Sequence, residues 1–152
     1  MRQLDIMWEI KAYLKTYPQA TIVNLGCGLD ETPKSFDNGL CHMINIDFED
    51  IIAIRNQLTK TGEREINLAC DLKCYSWVNK VDGSHGVFFF AAGVFHYFQR
   101  EEVKNLVLEL AKRYKGGCLI FDSVGELGVK LLMKMTLKNM GISGIDGLFY
   151  LN

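Results

Sequence analysis

Two glycines one residue apart, Gly26 and Gly28, follow the apolar run Thr21 to Leu25, and two later apolar runs close on the carboxylates Asp47 and Asp71. Glycine after a strand strips the main chain of side chains and leaves backbone N–H groups open to a ligand. A dinucleotide site of the GxGxxG type wants a third glycine at position 31, where this chain has Glu31, an acid where a pyrophosphate would sit. That argues against NAD and FAD. Asp47 lies about 20 residues past Gly28, the spacing at which an acid meets the two hydroxyls of a ribose. A nucleoside without phosphates satisfies both observations.

S-adenosylmethionine is such a ligand, and Asp71, at the end of a third strand, is placed to accept from an adenine amino group in the same crevice. Each feature also has a plain structural reading: a GxG turn, an acid capping a helix, and Asp71 capping the turn that starts at Leu72. Their order and spacing together favour the site. On the acceptor side, "GVFHYF" after the fourth strand offers His96 as a base or as a packing residue, and Tyr97 as a pocket or core aromatic. His42 and His85 open strands at the opposite end. Cys27 reads as a small filler, with no nearby histidine to activate it.

The elements that must position these residues alternate in period. Leu4, Met7, Trp8, Ile10, Ala12 and Leu14 fit a loosely amphipathic first helix that stops before Pro18. Strands are expected over Thr21 to Leu25, 43–47, 64–70, 86–92 and 118–123. Helices are expected over 50–62, ending at Gly62, from about 100 to the glycines at 116 and 117, and last up to Gly141. Crossovers of this length call for an α/β fold, a doubly wound, mainly parallel Rossmann-like sheet of five strands in a single domain over 1–152.

Composition narrows the partners. Lys and Arg number 17 against 18 Asp and Glu, so no charged stripe points to nucleic acid. The longest apolar run, Gly86 to Phe98, falls short of the roughly 20 residues that span a bilayer. No signal peptide is recognisable, and five scattered cysteines without metal-ligand spacing read as reduced thiols in a cytoplasmic protein, with no metal site.

Together, "TIVNLGCGLD", "NID" followed by "IIAIR", "CDL", "FFFAAGVFHYF" and "GGCLIFDS" resemble the leucine carboxyl methyltransferase family, especially its bacterial branch similar to tetracenomycin polyketide O-methyltransferases. The resemblance implies a class I methyltransferase fold with S-adenosylmethionine as cofactor. It sets Gly26 and Gly28 along the methionine part, Asp47 on the ribose, and Asp71 with Leu72 around the adenine. It also puts Arg2 at the distance of an arginine that pairs with the cofactor carboxylate, a role suited to a guanidinium. The chain departs from that family in its short N-terminal region, in the absence of a final two-strand hairpin, and in Ala92, where a glutamate is usual. An uncovered sheet edge favours a homo-oligomer. Two functions follow: methyl transfer to a hydroxyl or carboxyl oxygen of a small, polyketide-like metabolite, or a catalytically inactive cofactor-binding or interaction module.

Overall fold

The computed structural model describes residues 2–123. Helix α1 (Arg2–Thr16) leads into β1 (Thr21–Leu25), and a short α2 (Pro33–Phe36) precedes β2 (His42–Asp47). Then come α3 (Glu49–Leu58), β3 (Glu65–Ala69), two 3-10 turns (Leu72–Cys74 and Ser76–Lys80), β4 (Val87–Ala91), a third 3-10 turn (Phe95–Tyr97), α4 (Arg100–Arg113) and β5 (Cys118–Phe121). All pairings are parallel, in the order β3-β2-β1-β4-β5. The expected α/β, Rossmann-like sheet is therefore present. The helix expected up to Gly141 lies outside the described residues.

Because successive side chains of a strand point to opposite faces, the sheet sorts its apolar residues into two cores. Ile22, Met43, Phe88 and Phe90 pack under Ile6, Ile10 and Leu14 of α1 and Phe36 of α2. Val23, Leu25, Ile44, Ile46, Phe89 and Ala91 face Val103, Leu106 and Leu110 of α4, with Trp77 and Val78 of the second 3-10 turn. Chain on both faces explains why β1 and β4 are buried along their whole length.

Two details differ from the sequence reading. The buried stripe of α1 is Ile6, Ile10 and Leu14, whereas Leu4 and Trp8 are exposed. Residues four apart share one helix face, and this i, i+4 row, with Tyr13 beside it against Val87 and Phe88, meets the sheet. Helix α3 stops at Leu58 rather than at Gly62, because Thr59 turns to extended backbone while its N–H still donates to Arg55. The Gly62 N–H donates instead to the Glu65 side chain at 3.1 Å. Phe89 is 2% exposed and meets Trp77 edge-on and Tyr114 at ring-centroid separations of 6.2 and 5.3 Å. Truncation there leaves a cavity between sheet and helix, so Phe89→Ala is expected to cost about 3–5 kcal/mol in urea denaturation.

Candidate ligand-binding site

The carboxyl ends of β1 to β4 open into one crevice of about 340 Å³, within the range of small-molecule pockets. It forms on both sides of β1, the central strand, whose neighbours β2 and β4 are reached by crossovers over opposite faces. In open α/β sheets that switch point is where ligands bind. Gly26 comes from the end of β1, Asp47 and Phe48 from β2, Cys70 to Lys73 from β3, and Ala92 to Val94 with Tyr97 from beyond β4.

The glycine loop is held by bonds to β2. The N–H groups of Gly26 and Cys27 both donate to the Ile46 carbonyl, at 2.9 and 3.0 Å, and the Gly28 N–H donates to Asp47 Oδ2 at 2.7 Å. Asp47 Oδ1 accepts from the Phe48 N–H at 2.8 Å. An ionised carboxylate has about four acceptor directions, so each oxygen keeps capacity for a further donor.

Both glycines also answer to the fold itself. Gly26, at φ +68°, lies so close to Val94 that a Cβ would come within 2.6 Å of Val94 Cγ2. Its bareness lets the loops after β1 and β4 touch at the crevice floor. Gly28, at φ +50°, has open space around its Cβ position and does not line the crevice, so its requirement is conformational.

Asp71 lines the crevice and also caps the 3-10 turn, its Oδ1 accepting from the Lys73 N–H at 2.9 Å. The capping reading of Asp71 is realised, and it does not remove the residue from the wall. Leu72 is buried at the same wall, and its carbonyl accepts from Trp77 Nε1 at 3.1 Å. Lys73 pairs with Glu102 at 2.8 Å, which raises the lysine's pKa, and its ammonium lies over the Phe98 ring at 5.1 Å. Its charge thus binds wall to helix. Glu31, the acid that argued against a pyrophosphate, pairs with Lys34 away from the crevice.

Tyr97 lines the crevice and is 54% exposed, as is Phe48 at 57%, so two large rings stand at its mouth. His96 does not reach it. The imidazole is 3% exposed with Nε2 3.5 Å from Asp122 Oδ2, because the 3-10 turn turns Phe95 and His96 inward and leaves Tyr97 outside. His96 is a packing residue here, not a base in the crevice. Arg2 opens α1, but its side chain lies outside the described residues. Ala92 is in the wall, so no carboxylate projects from that position.

Sequence reasoning passed over Asp122 and Arg55. Asp122 follows β5, and its Oδ1 accepts from the Gly93 N–H at 2.7 Å, bracing the loop that carries Val94. Arg55 is 1% exposed and reaches the glycine loop from beneath. Its one signal in sequence is its place at i+3 from Ile52, on the inner face of α3. Cys27 is buried, and burial pushes its thiol up to about 12, so it is an inert filler. Five free cysteines are present, and no cluster of metal-ligating side chains occurs among the described residues.

The fold is a Rossmann-like parallel α/β sheet with its crevice at the switch point, an architecture also found in methyltransferases of known structure. Among solved structures, magnesium protoporphyrin IX methyltransferase ChlM from Synechocystis, crystallised with bound SAH, superposes with a TM-score of 0.62 at 16% identity, over 99% of this chain and 67% of that one. The N-methyltransferase NodS from Bradyrhizobium japonicum gives 0.59 at 16% identity, over 95% and 74%. In sequence, the chain is 21% identical over 113 residues to the tetracenomycin polyketide synthesis O-methyltransferase TcmP of Streptomyces glaucescens, covering 74% of this chain and 42% of that protein. The chain thus spans less than half the length of this relative. No family profile matches it.

Gly26→Ala should destabilise the fold, by about 1–2 kcal/mol for the left-handed backbone with the Val94 clash in addition. Gly28→Ala should carry the backbone cost alone. Thermal denaturation of both, with Gly26→Ala/Val94→Ala recovering part of the loss, tests which glycine answers to packing. In the native chain, iodoacetamide at pH 8 should alkylate exposed Cys74 and spare Cys27, read by peptide mass spectrometry.

Proposed function

We propose that this chain binds S-adenosylmethionine and forms the cofactor-binding part of an S-adenosylmethionine-dependent methyltransferase. The observation that carries the reading is Asp47: a carboxylate at the end of β2, held by two backbone N–H groups and lining the crevice beside Gly26. Such a group suits the two hydroxyls of a ribose. Around it, Gly26 and Gly28 would run along the methionine part, while Asp71 and Leu72 would bracket the adenine. Arg2 would pair with the cofactor carboxylate. ChlM, with its bound SAH, supports the choice of ligand.

The cofactor, when bound, supplies an activated methyl group on a sulfonium. The task left to the chain is to hold an acceptor atom in line with it and away from water. Phe48 and Tyr97 at the mouth favour an acceptor with apolar or aromatic surface. The likeness to TcmP, an O-methyltransferase of polyketide synthesis, supports an oxygen acceptor on a small, polyketide-like molecule, whereas NodS is an N-methyltransferase of the same fold. In this reading the protein is cytoplasmic, in keeping with five free thiols, and a second copy covers any open sheet edge. The second reading, a cofactor-binding or interaction module without catalysis, is favoured by Ala92, which puts a methyl group where the leucine carboxyl methyltransferase family has a carboxylate.

Isothermal titration with S-adenosylmethionine and with its demethylated product should show micromolar binding that falls at least tenfold in Asp47→Ala, the loss expected for charged hydrogen bonds of about 1.5–3 kcal/mol. Absence of heat at millimolar ligand would refute the cofactor reading. Binding without methyl transfer to any hydroxyl, carboxyl or amine acceptor would favour the module.

A further inference from the structure

Beneath the crevice, the face of β2 and β3 that α3 covers is polar. Asn45 donates to Glu65 Oε1 at 2.6 Å and to Asn67 Oδ1 at 2.9 Å. Arg55 sits over this layer with its guanidinium in use on every nitrogen. Nε donates to Asn67 Oδ1 at 3.1 Å, and Nη2 lies 3.4 Å from Glu65 Oε1. Nη1 donates to the carbonyls of Gly28 and Asp30 at 3.1 and 2.8 Å. Asn67 is itself held in one orientation, since its Nδ2 donates to Asn56 Oδ1 at 2.7 Å and Thr61 Oγ1 at 3.0 Å.

Gly28 is therefore gripped on both sides. Its N–H goes up to the Asp47 carboxylate and its C=O goes down to Arg55. Without the lower bond Gly28 would be held from the β2 side alone, and the N–H that orients Asp47 would be less closely fixed. The charge of Arg55 is already balanced by Glu65, the two side chains being 1% and 4% exposed. Its two loop bonds are thus additional to what a buried ion pair needs in order to be tolerated.

We infer that Arg55 is a positioning residue for cofactor binding: it presets the glycine loop, and through Gly28 the Asp47 carboxylate, before any ligand arrives. The inference rests on the cofactor reading above and assigns Arg55 no contact with the ligand. A loop already ordered avoids the entropy that binding would otherwise cost, so its effect is on affinity.

Lysine in place of Arg55 keeps a cation for Glu65, but its single ammonium lacks the planar fork that serves two carbonyls and Asn67 at once. The experiment compares the full chain with Arg55→Lys and with Gln57→Ala, an exposed control on the same helix. It reads thermal denaturation, amide hydrogen exchange at Gly28 and Asp30, and titration with the demethylated product S-adenosylhomocysteine. The expected result for Arg55→Lys is a melting temperature within a few degrees of the parent, exchange at Gly28 accelerated at least tenfold, and affinity at least tenfold weaker. Gln57→Ala should change none of these.

Affinity within twofold of the parent in folded Arg55→Lys overturns the inference while leaving the cofactor reading intact. A parent chain that binds no ligand overturns both. Should Arg55→Lys not fold, the double variant Asn56→Ala/Thr61→Ala decides, because both residues are exposed and together orient Asn67, which accepts from Arg55 Nε. It should fold, weaken binding twofold to fivefold and accelerate exchange at Gly28, and unchanged binding would again overturn the inference.

Discussion

The Asp47 carboxylate accepts the Gly28 N–H at 2.7 Å, and through this bond the end of β2 determines where the loop after β1 lies. The neighbouring Ile46 carbonyl takes the N–H groups of both Gly26 and Cys27. The loop is therefore seated on β2 by three backbone donors. That seating brings Gly26 against Val94, which fixes the floor of the crevice, and Asp122 holds Gly93 and so the opposite wall. Each wall thus depends on a strand that is not its own.

The sheet supports this arrangement with two different kinds of interior. Under α4 and the 3-10 turns the packing is apolar and aromatic, built on Trp77, Phe89 and Phe95. Such packing is dense and non-directional, and it sets the spacing of the strands. Under α3 the interior is polar, and the chain Asn45, Glu65, Asn67 and Arg55 leads to the carbonyls of the glycine loop. Directional bonds hold one loop conformation where apolar contact would accept several.

For a group-transfer reaction of the proposed kind, this division of labour is useful. Displacement at a methyl group needs alignment more than it needs an acid or base, and alignment comes from a rigid seat. The crevice has such a seat on the side of β1 and β2. On the side of β4 the described residues offer Ala92 and the exposed ring of Tyr97. His96, a candidate base in the sequence, is packed away beside Asp122.

Much of this was legible in the chain itself. Alternating periods defined the order of strands and helices. The position of "GCGLD" after the first strand, with acids closing the second and third, brought Gly26, Asp47, Asp71 and Leu72 to one edge of a parallel sheet, because parallel pairing sends every carboxyl end the same way. These are local or topological properties, and residue order carries them. What only the tertiary structure decided were the contacts between distant segments: that Gly26 is bare for the sake of Val94, that His96 turns inward while Tyr97 turns out, and that Arg55 crosses under the loop to take the carbonyls of Gly28 and Asp30. Such contacts follow from the packing of helices and loops across the sheet, in which the direction of one side chain depends on all its neighbours at once, and no spacing along the chain encodes that.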